Sequence, residues 1–149
     1  MNYRIRKNGG KIYLSRDIRL SYYCRDSIKG ISRMAIQNGS WNVITMWLCP
    51  GSMRLRHFIP LLFVASVMGL SVLHRLHPFF GWLLVAELAA YFTLDVLFSR
   101  KQSDSLKQFC LLMLLFPVFH VTYGCGSLLG ILKLSTGNYQ KNNYCPPIL

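Results

Sequence analysis

The sequence contains few acidic residues. Only five of its 149 residues are Asp or Glu, against 17 Lys and Arg, which gives a formal net charge of +12. The scattered carboxylates form neither an aspartate motif for a divalent metal nor an acidic pair for general base catalysis. The excess positive charge favours anionic partners such as lipid headgroups, polyprenyl phosphates or nucleotide sugars.

Metal-binding, disulfide and nucleic-acid-reading motifs are also missing. The five cysteines have no C-x-x-C spacing, so neither a zinc site nor a disulfide framework is predicted. The basic residues match no nucleic-acid-reading motif, and half of the chain is apolar, so nucleic acid is not expected as a partner. His74 and His77 have a spacing that suggests metal ligands, but they belong to a four-residue turn, and no metal site is predicted there.

Three apolar stretches occupy the second half of the chain, at residues 57–73, 78–98 and 109–132. About 20 apolar residues in a helix cross the roughly 30 Å hydrocarbon core of a bilayer. The first stretch has 17 residues and is also compatible with a re-entrant segment. We therefore predict a mainly α-helical membrane protein, with a basic head at 1–56, a transmembrane region at 57–132 and a poorly ordered polar tail at 133–149.

The distribution of positive charge predicts the topology. Eleven Lys and Arg precede the first stretch, one lies between the first and second, three lie between the second and third, and two follow the third. The positive-inside rule then predicts a cytoplasmic head, and the absence of a signal peptide before it agrees.

The basic head is predicted to form a small α+β remnant. Residues 17–25 alternate between apolar and polar side chains, which predicts a half-buried strand, and residues 11–14 are a second short strand candidate. Residues 2–8 fit either one arm of a hairpin or a helix closed by glycine. Residues 27–41 fit a basic amphipathic helix that lies in the membrane interface or packs on the small sheet.

Several segments carry a resemblance to a known family. They are the run from Asn2 to Ile12, Asp17-Ile18, Tyr22, Arg25, the segment from Gln37 to Trp41, the run from Arg56 to Pro60, and the run from His120 to Ser127. In this order and spacing, they resemble the C-terminal part of a membrane-bound family 2 glycosyltransferase of the succinoglycan type, from bacterial polysaccharide synthesis. The resemblance covers nearly the whole chain.

The resemblance implies an activity that needs more than these residues. Family members place an α/β nucleotide-sugar domain, with its Mg or Mn site and its general base, ahead of the region that matches. We therefore expect a fragment at the bacterial plasma membrane that contributes to hexose transfer from a nucleotide sugar to a lipid-linked polysaccharide precursor, but holds no catalytic residue or metal itself. The alternative is a small non-enzymatic membrane anchor or assembly subunit with a basic lipid-binding head.

Two groups of head residues are candidates for binding. Gln37 and Trp41 keep the spacing of the family motif Gln-x-x-Arg-Trp, with Ser40 in place of the arginine, and would contact the acceptor or donor. Their alternative role is an interfacial tryptophan with a capping amide. The lipid-phosphate candidates, which could equally serve only as topology signals, are Arg25, Lys29, Arg33, Arg54 and Arg56.

Polar residues inside the apolar stretches form the last candidate group. Glu87 and His120 lie at the middle of the second and third stretches, where an isolated ionisable side chain costs several kcal/mol, so a mutual contact is predicted. Tyr123 lies one turn beyond His120. The group would act either as a polar latch between helices or as a groove for a polyprenyl-phosphate-linked acceptor. Gly126 and Gly130 form a small-x-x-x-small pair that allows close helix packing.

Overall fold

The part of the chain that the structure, a computed structural model, describes is mainly helical and contains no strand. That part comprises residues 2–137, with side chains from Ile5 onward. It contains α1 (Asn2–Lys7), α2 (Ile28–Leu48), α3 (Ile59–Leu73), α4 (Pro78–Gln102) and α5 (Leu106–Ser135), with a 3-10 turn at Leu55–Phe58 before α3. Residues 138–149, most of the predicted tail, lie outside the described residues.

Within residues 2–137, three helices are long and apolar enough to cross a membrane, which indicates a multi-pass membrane protein. They are α3 with its 3-10 turn, α4 and α5, and they coincide with the three predicted stretches. Large apolar side chains such as Trp82, Leu97 and Leu132 are exposed on their outer faces. These surfaces are suited to contact with lipid, where burial of apolar side chains needs no protein partner.

Local signals set the starts of the spanning helices. Pro60 and Pro78 lie in the first turns of α3 and α4, where the missing N–H would have no intrahelical partner. His77 caps α4, because its Nδ1 accepts a hydrogen bond from the Phe79 N–H at 3.1 Å. Ser105 caps α5 by accepting from the Gln108 N–H at 3.3 Å.

The two strands that were predicted for the head are not present in the structure of residues 11–25. Residues 11–14 and 17–25 contain no strand, and their apolar side chains are solvent-exposed, with Tyr13 at 93%. Alternation specifies a strand only when a neighbouring strand completes its hydrogen bonds, and none lies beside these residues in the described part of the chain. The small α+β remnant is therefore wrong for this structure.

Of the two structures predicted for residues 2–8, a hairpin arm or a helix closed by glycine, the structure contains the helix. Helix α1 ends at a left-handed glycine, because Gly9 has a φ of +76°. The Gly10 N–H then donates to the Ile5 carbonyl oxygen at 2.9 Å and satisfies a terminal backbone acceptor.

The predicted interfacial helix is also corrected. Helix α2 continues past Trp41 to Leu48 and packs lengthwise along α5. Its buried side consists mainly of small residues, namely Ala35, Gly39 and Ser40. This flat side needs a close neighbour to exclude solvent or lipid, so the helix is part of the bundle rather than a separate helix in the interface plane.

Helices α2 and α5 approach until their backbones touch. A Cβ atom added to Gly126 would lie 2.6 Å from the Ile36 Cα atom, and one added to Gly130 would lie 3.0 Å from the Ser40 Cα atom. A Cβ atom on Gly39 would overlap the Tyr123 carbonyl oxygen. The contacting positions advance together along both helices, so α2 and α5 run in the same direction. The predicted small-residue pair therefore does allow close packing, and its neighbour is α2.

Candidate functional site

A positively charged pocket lies beside the first half of α2. It has a volume of about 310 Å³ and is lined by Arg25, Gly30, Arg33, Met34 and Gln37. None of these lining residues is acidic. The pocket lining thus includes two arginines and one glutamine, whose side chains carry donors for an anionic oxygen-rich ligand such as a phosphate.

The local sequence explains how the pocket forms. Ser27 caps α2, with its Oγ accepting from the Gly30 N–H at 3.2 Å, and this fixes the first turn. Arg33 and Gln37 are four residues apart, so they share one side of the helix. Arg25 precedes the cap and lines the pocket from the irregular segment before α2. The positive end of the helix dipole also favours an anion at this end of α2.

An apolar groove of about 430 Å³ adjoins the charged pocket. Arg25 and Met34 line both spaces. The rest of the groove is formed by the segment before α2, by α2 and by the first half of α5, through Tyr22, Cys24, Ile31, Leu112, Leu115, Phe116 and Phe119. One end of the combined surface is cationic and the other end is lined by apolar side chains, which suits a ligand with a phosphate at one end and a hydrocarbon chain at the other.

The other head candidates do not line this pocket. Trp41 is half exposed on α2, while Lys29, Arg54 and Arg56 are exposed at the surface. Of the residues singled out by sequence, the structure therefore groups Arg25, Arg33 and Gln37, and separates the remainder from them.

The intramembrane polar residues find partners that differ from the predicted ones. The Ser66 hydroxyl donates a hydrogen bond to Glu87 Oε1, which joins α3 to α4. His120 Nδ1 lies 3.0 Å from the Phe116 carbonyl oxygen of its own helix. Glu87 and His120 are both described by the structure, and they form no hydrogen bond or ion pair with each other. Tyr91 instead links the helices, with its ring stacked on Phe63 at 4.5 Å and edge-on to His120 at 5.7 Å.

The polar residues of α5 point toward two different neighbours. His120 faces Tyr91 on α4, whereas the Tyr123 hydroxyl accepts a hydrogen bond from Asn42 on α2. Asn42 and Ser66 were missed as partners by the sequence analysis. Both are polar residues in otherwise apolar helical segments, and this is the signal that would have identified them.

The Ser66–Glu87 pairing is testable by a double-mutant cycle. We expect Ser66→Ala and Glu87→Ala to be coupled by about 0.6–1.7 kcal/mol, since membrane hydrogen bonds have interaction energies in this range. Glu87→Ala and His120→Ala should instead add to within about 0.5 kcal/mol, because the pair shares no direct bond. The measurement is reversible unfolding in mixed micelles. Additivity in the first cycle, or strong coupling in the second, would contradict the observed arrangement.

The donor set does not fit the divalent metal of the glycosyltransferase family. Among residues 5–137, no three His, Cys, Asp or Glu side chains come close enough to hold a metal ion. No protein-family model, curated protein or solved structure matches the sequence or the fold.

Proposed function

We propose that this chain is the membrane-anchoring and acceptor-side part of a family 2 glycosyltransferase that extends a lipid-linked polysaccharide precursor. The observation that carries the proposal is the junction of the Arg25–Arg33–Gln37 pocket with the apolar groove along α5. A polyprenyl-phosphate-linked acceptor has the same two parts, an anionic head and a hydrocarbon chain. The sequence resemblance supports the same assignment.

Each part of the site has a role in this proposal. The guanidinium groups of Arg25 and Arg33 hold the lipid phosphate through charge-assisted hydrogen bonds. The groove residues hold the first isoprenoid units, and Gln37 hydrogen-bonds hydroxyl groups of the attached sugar. The three spanning helices anchor this site in the membrane.

The donor side is assigned to a nucleotide-sugar domain of the family's kind, which would hold UDP-hexose, the metal and the general base. The exposed apolar side chains of residues 11–25 support a contact with such a domain, because a strand of that domain would complete the hydrogen bonds of the alternating segment. In this proposal the face lies in the cytoplasm, as the positive-inside rule predicts, and the sequence resemblance implies a bacterial plasma membrane.

Lipid binding tests the proposal directly. The full chain in neutral phosphatidylcholine nanodiscs should bind a short polyprenyl phosphate at least ten-fold more tightly than the matching polyprenol, because the alcohol lacks the anionic head. Equal affinity for the two lipids would contradict the assignment. Addition of UDP-hexose and a family 2 catalytic domain should then give hexose transfer to the lipid. Binding without transfer would favour the alternative function of a non-enzymatic anchor.

A further inference from the structure

A second cavity lies inside the bundle, between α3, α4 and α5. It has a volume of about 360 Å³, within the range of small-molecule sites. Four aromatic rings form much of its wall, from Phe63, Tyr91, Phe98 and Phe116. Its two other polar lining residues are Asp95 and His120, so the cavity combines an aromatic wall with a small number of polar groups.

Asp95 is a buried acid with unused hydrogen-bonding capacity. Its side chain is 6% exposed, and its Oδ1 accepts a hydrogen bond from the Ser99 hydroxyl at 3.1 Å. Its Oδ2 is buried and has no hydrogen-bond partner, and the same is true of the Tyr91 hydroxyl oxygen. No Lys or Arg lines the cavity. An unpaired buried carboxyl oxygen is costly in a membrane, so a ligand that donates hydrogen bonds would complement it.

His120 offers a third acceptor. Its Nδ1 lies 3.0 Å from the Phe116 carbonyl oxygen, which can only accept, so the ring proton is on Nδ1. In the neutral form of the ring, the Nε2 atom then carries a lone pair. A primary ammonium group has three N–H donors, and the number of these acceptors is the same: Asp95 Oδ2, the Tyr91 hydroxyl and His120 Nε2.

The cavity wall and its opening indicate the rest of the ligand. Aromatic faces attract an organic cation through their quadrupoles, and the attraction is strongest away from water. Ile59, Leu94 and Phe98 line the cavity and are each more than half exposed on the outside of the bundle. These residues lie on helices whose outer faces suit lipid, so the cavity opens sideways toward the hydrocarbon.

We propose that this cavity binds a lipophilic primary amine, with the ammonium group held by Asp95, Tyr91 and His120 and an apolar body that reaches toward the lipid. This proposal goes beyond the proposed function and does not depend on it. It concerns a different space from the charged pocket beside α2, although α5, through Phe116, borders both this cavity and the apolar groove.

The test compares two probes of nearly equal shape on the full chain in nanodiscs, with empty nanodiscs as the background. We expect 4-phenylbutylamine to bind at least ten-fold more tightly than 4-phenylbutanol, as measured by isothermal titration. Asp95→Asn should weaken amine binding at least ten-fold and change alcohol binding less than two-fold. Asp104→Asn, which removes an exposed acid outside the cavity, should leave both affinities unchanged.

Equal affinity for the amine and the alcohol would overturn the proposal, and so would undiminished amine binding by the Asp95→Asn variant. Displacement of the amine by equimolar sodium or potassium ions would also overturn it, because the cavity would then be assigned to a metal cation. If Asp95→Asn does not fold, Tyr91→Phe replaces it, since this variant removes one acceptor and keeps the ring. It should weaken amine binding two- to five-fold, and an unchanged affinity would equally overturn the proposal.

Discussion

Replacing Gly126 by alanine is expected to destabilise the protein by about 1–3 kcal/mol, the usual range for overpacking a tight contact. The added methyl group would lie 2.6 Å from the Ile36 Cα atom, and a backbone atom cannot move aside as a flexible side chain does. Helices α2 and α5 must therefore separate or shift. Gly126→Leu should release α2 from α5 altogether. Reversible unfolding in mixed micelles measures the first effect.

Gly69→Ala is the matched control for this prediction. Gly69 is also inside an apolar helix, but a Cβ atom there meets nothing within 4 Å. Its replacement should be neutral or stabilising by up to about 1 kcal/mol, because alanine favours the helix more than glycine. Limited trypsin digestion at Lys29 and Arg33 gives a second measurement, since release of α2 exposes its backbone. Equal behaviour of Gly126→Ala and Gly69→Ala would contradict the observed contact.

Replacing both Arg25 and Arg33 by glutamine is expected to weaken polyprenyl phosphate binding ten-fold or more. Each guanidinium contributes a charge-assisted hydrogen bond to the phosphate, and such bonds contribute about 1.5–3 kcal/mol. Glutamine keeps much of the side-chain length but lacks the charge. Binding of the matching polyprenol should change less than two-fold, because the apolar groove remains intact. The measurement is the affinity of the full chain for each lipid in nanodiscs.

The control is the double variant Arg54→Gln/Arg56→Gln, which removes the same total charge. These two arginines are exposed and do not line the pocket. We expect it to weaken polyprenyl phosphate binding less than three-fold. Equal losses in the two double variants would mean that net charge, rather than the pocket, attracts the lipid, and would count against the proposed site.

Much of the membrane architecture was predictable from sequence because it depends on local properties. Length and hydropathy alone identify the segments that became α3, α4 and α5, since a bilayer requires about 20 consecutive apolar residues. The glycine-closed end of α1 was one of two alternatives, and the left-handed conformation of Gly9 accounts for that outcome. The small residues of α5 predicted close packing, but they did not identify the neighbour.

Features that depend on distant segments were predicted less well. Alternation in residues 17–25 describes a strand only if another segment pairs with it, and the described residues provide none. The predicted end of α2 at Trp41 was wrong because the helix continues along α5, where Asn42 bonds to Tyr123. Glu87 was recognised as a group in need of a partner, but sequence spacing cannot distinguish Ser66 from His120 when both are one helix away.

The close contact between α2 and α5 has a consequence for biosynthesis. Helix α2 ends at Leu48, whereas Gly126 and Gly130, on which it packs, lie about 80 residues later in α5. At about 5–20 residues per second, several seconds pass before α5 is made. During this interval the Gly39–Ser40 side of α2 has no neighbour, and the nascent protein is vulnerable to proteolysis and to association with other chains. Docking of α2 on α5 must therefore wait until the third membrane segment, which is α5 itself, has been made.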